Sequence, residues 1–215
     1  MSSGRAPIAR AKAAPDKRRL ILDAAVRVFA RQGFHACRVS DIADEAGVAY
    51  GLVYHYFASK EEVLDTLFLE RWNVMLEVIR EVDAEQIPVR DKFTAIASFI
   101  VDSYRHHPDV MKVIIVEVTR AANSFGQTHL GQIREAYELI GQIVAKAQEQ
   151  GVFKPEIEAR FAAMAFYGAI EQLLTGWIFG LLPQGEEHFE RAKWLVVETV
   201  CGGLEASPVE RASGR

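Results

Sequence analysis

The chain has 215 residues, half of them hydrophobic and a quarter charged, with 15 Gly, 7 Pro and two Cys. That composition excludes collagenous, disordered and disulfide-stapled classes, and a chain this long buries enough surface to fold without a metal or cross-link. The net charge of −4 hides a split: residues 1–60 carry ten Lys/Arg against five acids, and the remaining 155 residues fifteen against twenty-four. A basic start on an acidic body suits an anionic partner, nucleic acid or a membrane surface, unless it is a chance surface distribution. Cys37 and Cys201 lie too far apart for a zinc-ligand spacing and fit a reducing, cytoplasmic setting.

Residues 1–15 are rich in Ala, Arg, Pro and Ser with no apolar run, which reads as a flexible basic arm rather than a secretory leader. From there helical signals run almost end to end. Asp16 can cap a first helix whose Leu20, Ile21, Ala24, Ala25, Val28 and Phe29 recur on one face, and Gly33 can end it in the left-handed conformation. Ser40 can cap a short helix over 41–46 that stops at Gly47, and a third spans about 49–57. Ser59 and Glu62 form a capping box opening a long helix with the stripe Val63, Leu64, Leu67, Phe68, Trp72, Met75, Leu76, Ile79. Further helices are expected at about 89–106, 108–120, 127–150, 156–182 and 186–204, and the polar 206–215 tail reads as disordered. The fold class is therefore all-α with about nine helices. No repeat period is visible.

Residues 161–182 carry a single charge, Glu171, and could span a bilayer by length. An acid at the centre, no flanking Lys/Arg cluster, and Gly176, Gly180 and Pro183 near the far end favour a helix buried in a core or an oligomer interface instead, with no membrane partner.

The segment 39–57 carries the most information. Ala43 is small enough for two helices to cross closely, Gly47 supplies a tight turn, and Val48 and Val53 fill the wedge between them, as a helix-turn-helix requires. The second helix of such a unit can enter the DNA major groove with its first residues, here Ala49, Tyr50 and Gly51, toward base edges. Ser40, Tyr54, His55 and Lys60 offer hydroxyl, imidazole and ammonium groups to phosphates. Arg38 reaches the backbone or is merely solvated. The arm's basic residues embrace phosphate or trail in solvent.

These pieces together, Val39-Ser40-Asp41-Ile42-Ala43, Ala46-Gly47-Val48, Gly51-Leu52-Val53-Tyr54-His55-Tyr56-Phe57 and Ser59-Lys60-Glu61, resemble the DNA-binding domain of the tetracycline-repressor (TetR) family over about residues 16–76. Many members carry Lys where this chain has Tyr50, so base preference stays open. The resemblance implies a three-helix head, a divergent ligand-binding and dimerisation domain (77–205), a homodimer through the last two helices, and a repressor bound to a palindromic double-stranded DNA operator.

An effector would need an apolar cavity with a few polar groups. Candidate lining residues are Phe93, Phe99, Tyr104, Phe125, Tyr137, Tyr167 and Trp177, with Glu171 facing either that cavity or the dimer interface. The stretch 168–177 is similar to the corresponding helix of the family's fatty-acid-degradation regulators, which implies long-chain acyl-CoA as effector. A bulky hydrophobic compound, as in regulators of drug or solvent efflux, is the alternative. No HExxH, Gly-rich phosphate loop or paired nucleophile and base is present, so no catalytic residue, metal or cofactor is expected, and the chain reads as a regulator rather than an enzyme or an adaptor.

Overall fold

Asp16 opens the first helix, its carboxylate accepting the Arg18 N–H at 3.0 Å. The computed structural model describes residues 16–120 and 125–205, with side chains described up to 116 and again from 129. Nine helices follow one another within those residues: α1 (Lys17–Gln32), α2 (Val39–Ala46), α3 (Tyr50–Tyr56), α4 (Lys60–Ala84), α5 (Val89–His106), α6 (Pro108–Arg120), α7 (Phe125–Glu149), α8 (Ala159–Ile178) and α9 (Glu186–Leu204). Among the described residues no strand forms, only an isolated bridge between Phe153 and Glu205. The arm, the 206–215 tail and the Phe125 side chain, all of which the sequence reading addressed, lie outside the described residues.

The head is α1 to α3 with the first turns of α4. Its core holds Ile21, Leu22, Ala24, Ala25, Val28, Phe29, Ile42, Ala43, Val53 and Phe57; Leu22 takes the inward place expected of Leu20. Gly47 ends α2 at φ 64°, ψ 38°, a left-handed conformation that other residues adopt at a cost. Its N–H bonds to Asp44 O at 3.1 Å, and the Val48 N–H reaches back to Ala43 O at 3.0 Å, which closes the turn between the two helices.

Three helix ends differ from the sequence reading. α2 begins at Val39, so Ser40 lies inside its first turn; the capping acceptor is Asp41, whose carboxylate takes the Arg38 N–H at 2.9 Å and holds Gln32 Nε2 at 2.9 Å. A carboxylate reaching back from the third helical position outcompetes the shorter Ser40 hydroxyl. Gly33 has φ 82° with an extended ψ of 155°, so it turns the chain away from α1 without a left-handed helical step. α8 stops at Ile178 rather than near 182, because Gly180 turns at φ 68° and the Leu181 N–H folds back to Gly176 O at 2.7 Å. Leu182 then lies so close over Gly176 that a Cβ there would meet its Cδ1 at 2.6 Å.

The body is a bundle in which α8 packs on α7 and α9, α9 on α5, and α4 on α5 and α7. Two elements join it to the head. α4 runs continuously from Lys60 into the bundle. α6 packs on α1, where Lys112 Nζ donates to Ala30 O at 2.8 Å. No helix among the described residues is long and apolar enough to cross a membrane.

Candidate DNA interface and ligand cavity

With about 100° per helical residue, Tyr50, Gly51, Tyr54 and His55 share one side of α3, and all four are exposed while Val53 on the other side is 1% exposed. Ala49, the N-cap, continues that outward face. Tyr50 and Tyr54 form a unit. Their rings meet edge to face with centroids 5.1 Å apart, and the Tyr50 hydroxyl donates to the Tyr54 hydroxyl at 3.1 Å. His55 packs edge-on against Tyr56, with centroids 5.1 Å apart. Arg38 is exposed at the head of α2, and Ser40 is half-exposed beside it.

Lys60 departs from the role the sequence suggested. Its ammonium donates to three carbonyls of the α1–α2 loop, Phe34 O and Cys37 O at 2.9 Å and His35 O at 3.3 Å, and sits 4.6 Å from the Phe34 ring centroid. An ammonium has three hydrogens, and all three are taken. Lys60 therefore holds the loop that presents α2, in place of a phosphate contact. Much of the head's basic excess is likewise internal. Arg18 and Arg19 pair with Glu70, and Arg27 and Arg31 with Glu45, the latter pairs tying α1 to α2.

In the body, a cavity of about 450 Å³ opens between α4, α5, α6 and α8. Its wall is apolar, from Trp72, Val74, Met75, Phe99, Ile100, Val110, Met111, Ile114, Ile115 and Tyr167, with Arg71, Asp102, Ser103, His106 and His107 as its polar members. Volume and lining fall in the range of small-molecule sites. His106 and His107 are exposed at its rim, and His106 Nδ1 bonds to Asp102 O at 2.7 Å, leaving Nε2 for another group. No carboxylate pairs with Arg71 among the described residues.

Of the side chains expected to line this cavity, Phe99 and Tyr167 do. The others whose side chains are described pack elsewhere. Phe93 is fully buried against Phe153 and Phe166. Tyr104 stacks on Trp177 at 5.7 Å, and Trp177 donates its indole N–H to Pro183 O at 3.1 Å. Tyr137, which is not in the lining, meets Tyr167 edge-on at 5.7 Å. The sequence reading missed Trp72 and Met75, which it placed in the α4 core stripe, and all of the α6 wall; the apolar run 113–116 was the one available hint.

Glu171 is not in the wall of this cavity. Burial raises its carboxyl above the ordinary value, and its charge in turn adds to burial in raising the Tyr137 and Tyr167 phenols. For an acid raised by folding, both states are protonated below the unfolded value (about 4.3) and no penalty exists. The penalty grows as pH rises from there to the folded value and is complete above it. Glu171→Gln should therefore raise Tm at pH 8 and leave it unchanged below about pH 4, read by thermal unfolding across pH. A fall in Tm at pH 8 would mean that a cation of a second copy neutralises Glu171. The two thiols offer no nucleophile: burial pushes Cys37 and Cys201 up to about 11.

An outward recognition helix on a compact head, joined through two helices to a bundle enclosing an apolar cavity, defines a ligand-responsive DNA-binding regulator. Residues 21–67 match the bacterial regulatory proteins of the tetR family, and residues 90–200 a tetracyclin repressor-like C-terminal domain. The chain is 30% identical over 159 residues to the fatty acid metabolism regulator protein of Bacillus subtilis, covering 74% of this chain and 81% of that one. Its fold is similar to that of the fatty acid degradation regulator FadR from Bacillus halodurans (TM-score 0.80, 26% identity, 91% of this chain and 100% of that one). It is also similar to FadR from Bacillus subtilis solved with stearoyl-CoA (TM-score 0.78, 25% identity, 87% and 99%). The chain belongs to the TetR family of transcriptional regulators, and it is a ligand-responsive repressor rather than an enzyme.

Proposed function

We propose that two copies of this chain bind a palindromic operator and leave it when a long-chain acyl-CoA fills the cavity. The observation that carries this is the position of the cavity: two of its walls, α4 and α6, are the helices that touch the head. Trp72 in the wall donates its indole N–H to Gln132 O at 2.9 Å and stacks on Phe68 at 4.9 Å. Phe68 packs on buried His129, whose Nε2 lies 3.0 Å from the Asp65 carboxylate near the head end of α4. On the other side, α6 reaches the end of α1 through Lys112. An acyl chain spreading these walls shifts both connections and alters the distance between the two recognition helices, which must be about 34–36 Å to enter successive major grooves. Arg71, His106 and His107 stand where an anionic head group would leave the apolar lining. Arg38, Ser40, Tyr54 and His55 supply the phosphate contacts, with Ala49, Tyr50 and Gly51 toward the bases.

The test is fluorescence anisotropy on the duplex that the protein selects from a random pool, titrated with palmitoyl- and stearoyl-CoA. Operator affinity should fall about 5–150-fold, the usual size of coupling between two sites. Free CoA should have no effect, and Arg71→Ala should weaken the acyl-CoA response alone. Release by bulky apolar compounds with no response to any acyl-CoA would move the reading to a regulator of efflux.

A further inference from the structure

The outward face of α3 lacks the side chains that usually read bases by paired hydrogen bonds. It presents Ala49, Tyr50, Gly51, Tyr54 and His55, with no Arg, Lys, Asn, Gln, Asp or Glu among them. Bidentate readout of guanine, adenine or cytosine in the major groove therefore has no donor or acceptor pair to use. What the face offers instead is apolar surface held in place. Tyr50 is 53% exposed, yet its ring is fixed edge to face on Tyr54 and its hydroxyl hydrogen is committed to the Tyr54 oxygen. An exposed aromatic with its own polar hydrogen turned inward presents ring carbons to whatever docks. Beside it, Gly51 has helical backbone, and apart from its chain neighbours and its own helix backbone no heavy atom lies within 4 Å of where a Cβ would stand. A glycine inside a helix costs stability relative to alanine and here brings no packing gain. The open space lets a base edge approach the Tyr50 ring closely. Among base edges, only thymine carries an apolar group in the major groove, its 5-methyl.

We propose that Tyr50 is a specificity-determining residue that reads thymine: in each half-site one thymine 5-methyl packs on the Tyr50 ring, while the Tyr54 hydroxyl donates to a phosphate. This rests on the operator-binding reading above and deepens it.

Deoxyuridine removes the methyl and leaves every hydrogen-bonding group of the pair in place. Starting from the duplex selected by the wild-type protein, each thymine is replaced in turn by deoxyuridine, and affinity is measured by anisotropy. One position per half-site should stand out. Binding should weaken about fourfold for one half-site and about fifteenfold for both, the size expected for one and two buried methyl groups. Tyr50→Ala should weaken binding to the thymine duplex and bring the thymine-to-uracil ratio at that position to about one. Tyr50→Phe keeps the ring and should keep the ratio. Both variants should melt with the wild-type protein, since an exposed ring contributes little to the fold.

Deoxyuridine without effect at every position, or a Tyr50→Ala protein that still distinguishes thymine from uracil, overturns the proposal. So does a Tyr50→Phe protein that has lost the ratio, because the hydroxyl would then be the reading group. Failure to select any preferred duplex is a different result and would overturn the operator reading itself.

Discussion

Lys60→Met should cost about 2–4 kcal/mol of stability and lower Tm by roughly 5–15 °C. The substitution keeps the aliphatic stem and removes the ammonium. That leaves the carbonyls of Phe34, His35 and Cys37 without their shared donor and takes the charge off the Phe34 ring. His35 is exposed and its carbonyl regains water, while Phe34 and Cys37 are buried, so most of the loss comes from those two. The same variant separates this role from a phosphate contact. A lysine bound to one phosphate in each half-site contributes about 0.9 each to the slope of log affinity against log salt. Here the slope, measured at a temperature where the variant is folded, should stay as in the wild type. An unchanged Tm with a slope reduced by about two would return Lys60 to the phosphates.

Lys60 also shows which parts of this molecule are legible in the sequence. Ala43, Gly47 and Val53 declare their turn because each condition is local: a small residue at the crossing, a positive φ, an apolar wedge. Ser59 is equally local, and its hydroxyl accepts the Glu62 N–H at 3.2 Å as expected, although Glu62 reaches one residue further back, to Ala58 N–H at 2.5 Å. The carbonyls that hold Lys60 lie 23 to 26 residues earlier in the chain, and no spacing announces them. The cavity fails for a related reason. Inward helical positions are all apolar whether they meet another side chain or a void, so the period that makes Phe93 and Phe99 look alike cannot tell that Phe93 is packed against Phe153 and Phe166 while Phe99 fronts open space. Only the packing of α4, α5, α6 and α8 around one another separates them.

Leu195→Glu should abolish operator binding more completely than any change in the recognition helix. Of the ten large apolar side chains exposed among the described residues, six lie on the last two helices and the turn between them: Phe161, Met164, Phe179, Leu181, Trp194 and Leu195. The outward face of α8 adds Ala165 and Gly168, and that of α9 adds Gly202 and Gly203, small residues that let another helix approach closely. Such a gathering of exposed apolar side chains marks a surface that a partner covers, and a second copy offers the same surface in return. A carboxylate at Leu195 would then be buried in the pairing surface of both copies. In the variant, sedimentation should show a single chain at concentrations where the wild type is paired. Operator affinity should fall about a thousandfold, the distance between specific binding by two half-sites and non-specific binding. Leu130→Glu, which places the same charge on an exposed leucine of α7, should leave both measurements unchanged. Should Leu195→Glu remain a dimer, or bind the operator fully as one chain, the pairing of α8 and α9 with their copies would be wrong, and the two recognition helices would need another frame to hold them one helical turn apart.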